Sequence, residues 1–292
     1  MSEFMQFIET SFKPMVFIFT VVNLGSLGLQ AKWPELIAVF KNRKAMALIF
    51  VWGWVLGPAL AFLITWIIPL AEPYVIVMFF SSVAPIAPFF PIMAKQARGD
   101  MSFAGALFPF AVIGTVIFLP IIGSLVIKGL SINPLDLAKP IFLTLLLPMA
   151  IGLAARHFAE KSVVKIVPAV NVIARIITFL MITQCFIIYT PEMLATVGSF
   201  ALLSGTIFMV VMGLITYRFG FGLKQNQRSV MSLGMLQRNL GAILIAVFAI
   251  PNVDPLVITF TIMWGLWSAV LSVIAVRIFT RQTGKSIQKN TV

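Results

Sequence analysis

Apolar runs of roughly twenty residues recur along nearly the whole chain, separated by short polar segments. A helix of about that length crosses a hydrocarbon core of about 30 Å, and backbone groups surrounded by lipid must find their hydrogen bonds within the segment. Together these restrict the chain to an all-α polytopic membrane protein. The charge content agrees: 10% of the 292 residues are Asp, Glu, Lys or Arg, where soluble domains carry about 25%. The ten-residue alternating segments of an outer-membrane barrel do not occur.

Nine spans are expected, at about 14–31, 45–68, 74–94, 102–127, 139–156, 166–189, 196–217, 229–250 and 256–278. Connections such as "KQARGD", "KGLSINPLDLAK" and "FGLKQNQR" are too short for a soluble domain, so residues 1–292 read as a single transmembrane domain. A net charge of +12 would suggest nucleic acid in a soluble domain; here it is topological. Of the 21 Lys and Arg, Arg175 and Arg238 fall inside spans, Lys13, Lys128 and Lys139 fall in one set of loops, and the other 16 fall in the opposite set. Such an excess marks the cytoplasmic side. It predicts a multi-pass cell-membrane protein with its N-terminus outside and its C-terminus in the cytoplasm. Membrane lipid is then a partner, and neither nucleic acid nor a protein partner is implied.

All nine acids lie in loops or at span ends, so the intramembrane carboxylates that act as proton relays and cation ligands are not expected. No HExxH, CxxC or zinc-ligand spacing occurs, and His157 and Cys185 are each the sole residue of their kind. No nucleophile stands beside a candidate base. Catalysis, a metal site and a cofactor are therefore not expected.

Two spans are interrupted. The third contains "SSVAPIAPFFPIMAKQ", where Pro85, Pro88 and Pro91 each remove a backbone donor and clash with the preceding turn. The eighth contains "SLGMLQRNLGAIL", where Gly234 and Gly241 flank the polar triplet Gln237, Arg238 and Asn239. Interrupted helices at membrane depth are tolerated where they are buried in protein or line a cavity. The broken spans are the third of the first four and the third of the last four, and these two groups of four start on opposite sides. That is the pattern of an inverted-repeat transporter.

Arg238 sits about ten residues from either end of its span, where an arginine costs roughly 2.5–3.5 kcal/mol on insertion scales. No intramembrane acid can pair with it. It either clamps carbonyls freed by the broken helices or forms a site for an anionic group. Gln237 and Asn239 either satisfy free backbone or touch a substrate. Asn23, in "VVNLGSLGLQ", is a further mid-span polar residue and a candidate substrate contact. Arg175 lies close enough to the basic side to snorkel to the headgroups, or it has a structural or cavity role.

The segments "LGSLGL", "QAKWPELIAVFKNRK", "VWGWVLGPALAFL", "APIAPFFPIMAKQARGD" and "LGMLQRNLGAILIAVF" follow one another in the order and spacing of the bile acid:sodium symporter family, which the chain resembles over nearly its whole length. The resemblance implies a core of the spans at about 45–68, 74–94, 102–127, 196–217, 229–250 and 256–278. It implies a panel of those at about 14–31, 139–156 and 166–189, with the broken helices crossing in the core and substrate held between core and panel. It also locates departures. Aligned without gaps, the side-chain sodium ligands of sodium-coupled members fall on Phe90, Pro91, Ala104, Phe108, Gly53, Ser232 and Leu236, of which only Ser232 carries a side-chain oxygen. A hard cation needs oxygen ligands. The expectation is a divergent, bacterial-type member that moves an organic anion, amphipathic or bearing a carboxylate or sulfonate. It would work by alternating access as a secondary-active transporter, without sodium at the family sites. A substrate-binding receptor or channel-like protein on the same scaffold is the alternative.

Overall fold

The computed structural model describes residues 3–126, 133–196 and 198–289; Lys128 and the expected span positions 127 and 197 lie outside them. The described residues are helical nearly throughout, with no strand among them. In chain order the helices are α1 (Glu3–Gln30), α2 (Trp33–Lys41), α3 (Arg43–Ile67), α4 (Glu72–Val83), α5 (Phe90–Gln96) and α6 (Met101–Val126). There follow α7 (Pro134–Phe158), α8 (Glu160–Ala195), α9 (Ala201–Arg218), α10 (Gln225–Leu236), α11 (Leu240–Phe248) and α12 (Pro255–Lys289). Seven of them are long and apolar enough to cross a membrane: α1, α3, α6, α7, α8, α9 and the Pro255–Gln282 stretch of α12. The chain is a multi-pass membrane protein. The segments expected as the third and eighth spans are each folded as two shorter helices, α4 with α5 and α10 with α11.

Several helices outrun their apolar runs. α1 begins at Glu3 and carries Pro14 inside it, and α8 takes up most of the polar segment "AEKSVVK". Hydropathy marks where a helix leaves the lipid, not where it stops; in water the same backbone bonds continue until a cap ends them. The charged segment after α1, expected as a loop, folds into the amphipathic α2. α3 and α7 each contain one π-helical stretch, Val51–Leu56 and Phe142–Leu146. Each stretch lies just before a proline, Pro58 or Pro148, whose missing N–H a wider turn can absorb.

Backbone contact sets the packing of α1. A Cβ on Gly28 would lie 2.2 Å from the Met149 carbonyl oxygen, and one on Gly152 would lie 2.5 Å from that of Gly25. Small residues of this kind let membrane helices approach closely, so α1 runs against α7, and its other flank packs on α8. Elsewhere α9 packs on α10, α6 packs on α4, and α12 packs on α4, α10 and α11. The two interrupted elements are thus enclosed by whole helices.

Candidate functional site

The three prolines can be followed donor by donor. In a continuous helix Pro85 would leave the Ser81 carbonyl without its partner; the Ala84 amide takes it instead, at 3.3 Å. Pro88 would leave the Ala84 carbonyl free, and it accepts from the Asn239 amide of the other break at 3.0 Å. Pro91 would leave the Ala87 carbonyl free, and the Phe90 amide occupies it at 3.0 Å. The Val83 carbonyl, at the end of α4, accepts from Trp54 Nε1 at 3.1 Å and from the Thr115 hydroxyl at 3.4 Å. Pro91 itself lies in the first turn of α5, a position that needs no N–H. The break proper runs from Ala84 to Phe89.

The second break is the triplet. Pro85 and Arg238 face each other in an antiparallel bridge, and the Ile86 amide donates to the carbonyls of Gly234 at 3.1 Å and Gln237 at 3.2 Å. The two breaks therefore satisfy one another's backbone in the protein interior. Gly234 and Gly241 lie within α10 and α11 rather than in the break. They permit close approach: a Cβ on Gly234 would meet Ile86 Cδ1 at 3.1 Å, and one on Gly241 would meet Thr20 Oγ1 at 2.7 Å.

Two of the three triplet side chains act as caps. Arg238, 1% exposed, donates from Nη2 to the Met235 carbonyl at 2.7 Å. That acceptor would belong to the Asn239 amide if the helix continued, so the guanidinium closes α10, where the helix dipole favours a cation. Its Cζ stands 4.7 Å from the centre of the Phe208 ring, a cation–π distance. Asn239 starts α11, its Oδ1 accepting from the Ala242 amide at 3.1 Å, an N-cap arrangement. Gln237 is fully buried, and neither side-chain polar atom has a partner among the described residues.

The positions aligned with sodium ligands carry almost no side-chain oxygen. Phe90, Ala104, Phe108 and Leu236 are buried apolar side chains. Ser232, the only one with an oxygen, donates its hydroxyl to the Gly213 carbonyl at 2.6 Å. Among the described residues no group of three or more His, Cys, Asp or Glu gathers anywhere.

A cavity of about 330 Å³ lies elsewhere, between the first break and the pair α1 and α8. Pro88, Pro91 and Ile92 form one wall; Asn23, Ser26, Gln30, Asn171 and Arg175 are on the other. Ser26, Gln30 and Asn171 of the polar wall are linked to one another, and Asn23 bonds separately. Ser26 Oγ donates to Asn171 Oδ1 at 2.7 Å, Gln30 Nε2 donates to the same oxygen at 3.1 Å, and Asn23 Nδ2 donates to Thr178 Oγ1 at 3.2 Å. Arg175 is exposed and makes a single bond, from Nε to the Asn171 carbonyl at 3.3 Å. Neither Arg175 nor Arg238 is in an ion pair; the pairs among the described residues are Lys32–Glu35 and Arg156–Glu160. A second cavity of about 240 Å³ shares Leu27, Gln30 and Pro91 with the first and leads on to Lys32, Glu35 and Met101.

Of the residues singled out from sequence, Asn23, Pro88 and Pro91 come together at this cavity, while Arg238, Gln237 and Asn239 gather at the bridge between the breaks. Sequence reasoning passed over Ser26, Gln30 and Asn171 and left Arg175 open. The signal was periodic: Asn23, Ser26 and Gln30 stand at i, i+3 and i+7 on α1, and Asn171 precedes Arg175 by four on α8, so each set shares one helix face. No curated protein matches the sequence. A family model described as the sodium bile acid symporter family matches residues 17–196, from within α1 to the end of α8 and so across the first break. That match takes in more than half of the chain: the chain belongs to the sodium bile acid symporter family.

Proposed function

We propose that the protein is a secondary-active transporter of an organic anion that binds in the cavity between the first break and α1 and α8. The observation that carries this reading is Arg175, a cation with one hydrogen bond and no acid partner among the described residues, beside the amides of Asn23, Gln30 and Asn171 and opposite the prolines of the break. A guanidinium binds a carboxylate or sulfonate bidentately, and Leu27 and Ala174 in the same wall, with Ile92 in the facing one, suit an apolar body. Family membership supports a transported small molecule as the partner. In this reading α1, α7 and α8 form the panel. α3, α6, α9 and α12, with the two broken spans, form the core. Nine crossings then result, with the two groups of four in opposite orientation.

Alternating access is supported by an asymmetry along α1. Toward Gln30 the two cavities share Leu27, Gln30 and Pro91, and the second reaches Lys32 at the Lys- and Arg-rich end. Toward the other end α1 is closed on α11: Lys13 Nζ donates to the Phe248 carbonyl at 3.3 Å, and the Phe12 and Phe248 rings meet edge to face at 6.1 Å. With the Lys- and Arg-rich end in the cytoplasm, this is an inward-facing state.

Transport does not use sodium at the family's sites. Arg238 replaces the ion's charge at the crossing and braces it by capping α10. Solute counterflow in proteoliposomes tests the whole reading, using a set of apolar carboxylates and sulfonates with their neutral analogues. Saturable exchange of an anion and none of its neutral analogue is expected. Binding without turnover would make the protein a receptor, and unsaturable current would make it a channel.

A further inference from the structure

A groove of about 270 Å³ runs between α9 and α12. Val210 and Leu214 form one wall, and Leu271, Ile274 and Ile278 form the other. Gly213 and Leu236 are its floor, and a Cβ on Gly213 would already press on Leu236 Cδ1 at 3.1 Å, so the groove owes its depth to that glycine. Leu214, Ile274 and Ile278 are about half exposed or more, which suits a surface turned to acyl chains.

The groove has a polar end. There Tyr217, stacked on Phe279 with ring centres 5.0 Å apart, is hydrogen-bonded to both Gln282 and Gln225. Arg218 follows Leu214 by four residues, and Arg281 follows Ile278 by three and Ile274 by seven. Each arginine therefore continues one wall of the groove on the same helix face. Both are exposed, and neither forms an ion pair among the described residues. By helix face the apolar groove therefore leads toward two exposed guanidinium groups, of which Arg218 lies 5.8 Å from the centre of the Phe219 ring, at the end of the molecule that carries the Lys and Arg excess.

We propose that this groove is a selective site for an anionic phospholipid, with one acyl chain between α9 and α12 and the headgroup phosphate between Arg218 and Arg281. Charge decides the occupant. A zwitterionic lipid would fill the same apolar walls, but its own ammonium would compete for the phosphate, whereas an anionic headgroup leaves a net negative charge for the two arginines. The site is separate from the transport cavity and does not depend on the reading of that cavity.

Purified full-length protein, equilibrated with equal amounts of phosphatidylglycerol and phosphatidylcholine of matched chains, is weighed by native mass spectrometry. The wild type should retain one phosphatidylglycerol in preference to phosphatidylcholine by about tenfold. The double variant R218Q/R281Q should bring that ratio to within about twofold of one. The double variant K161Q/K165Q, which removes two cations at the start of α8 instead, should leave it unchanged. No preference in the wild type, or equal loss in both double variants, overturns the proposal. A second measurement does not need the arginine variants to fold: Leu214→Trp adds a fluorophore in the wall to the six tryptophans the chain already has, and its quenching is read as the difference between that variant and the wild type. Brominated phosphatidylglycerol should quench it at about one-tenth the mole fraction that brominated phosphatidylcholine requires. Equal quenching by the two lipids would mean that ordinary boundary lipid fills the groove.

Discussion

Arg238→Ala separates bracing from substrate binding, because the contacts of the side chain allow the stability change to be worked out in advance. The substitution removes the 2.7 Å bond to the Met235 carbonyl, worth about 1.5–3 kcal/mol for a charged donor. It removes the contact on Phe208, 4.7 Å from ring centre to Cζ, worth about 0.5–2 kcal/mol. Two buried methylenes are lost at about 0.8 kcal/mol each. Against these stands the relief of taking an arginine out of the middle of a span, about 2.5–3.5 kcal/mol. The losses exceed the relief by about 0–4 kcal/mol, about 2 kcal/mol at the centre of these ranges, so thermal unfolding in detergent should shift downward. If Arg238 is a brace, the protein that remains folded should bind the transported anion within about twofold of wild type. Arg238→Lys keeps the charge but not the planar fork, and should recover part of the stability. A tenfold loss of affinity at unchanged stability would place Arg238 on the substrate and refute the reasoning. No change in either quantity would refute both roles.

Arg175→Gln should weaken anion binding by about 10–150-fold, the equivalent of the 1.5–3 kcal/mol of a charged hydrogen bond, and leave the melting temperature unchanged because the side chain is exposed with one long bond; equal affinity by calorimetry would move the anion site elsewhere. Replacing sodium by potassium or choline should change uptake by no more than about twofold, and a saturable tenfold effect, about 1.4 kcal/mol of coupling, would mean that other atoms hold the ion. Gly28→Val would force a side chain into the Met149 backbone and should cost about 1–3 kcal/mol or more as overpacking, read as lost monodisperse yield. A reporter fused after Val292 should be active only in its cytoplasm-dependent form, and labelling of that end by an impermeant reagent on intact cells would reverse the assigned orientation.

The membrane class and the positions of the two breaks were legible because each depends on local chemistry. A proline deletes its own donor wherever it sits, and a run of twenty apolar residues has few alternatives in lipid. What replaces the lost donor was not legible. The partner of the Ala84 carbonyl is the Asn239 amide, far along the chain, and nothing in "SSVAPIAPFF" names it. Arg238 stands out as anomalous, but the acceptor of its Nη2, the Met235 carbonyl, is in the last turn of α10, three residues before it, and nothing in "MLQRN" fixes the direction of the side chain. Arg175 is left open by the sequence for a related reason. Its distance along α8 from the basic end allowed snorkelling, but its face of the helix, shared with Asn171, sets it in the cavity. Loop assignments failed at α2 and at the start of α8 because polarity was read as the absence of helix.

A fixed charge at the crossing has a consequence for energetics that a diffusible one does not. An ion can drive transport because it binds one state better than the other and leaves on the far side; a ligand with equal affinity for both states shifts nothing. Arg238 never leaves. Its bond to Met235 lies within one half-broken span, and its ring contact is with Phe208 of α9, which packs on that span. If those two elements move together as part of the core, the guanidinium contributes the same energy in the inward and outward states. It then stabilises the crossing without biasing its direction. If, as proposed, the protein moves an organic anion without sodium, accumulation against a gradient draws on a second solute that enters the cavity beside Arg175, or on the anion's own charge in the membrane potential, about 2.3 kcal/mol per elementary charge per 100 mV. Setting that potential with potassium and valinomycin in sodium-free proteoliposomes distinguishes the two. Uptake of a monovalent anion should follow the imposed voltage if its own charge is the drive. Voltage-independent uptake that appears only with a particular co-solute would assign the coupling to the cavity instead.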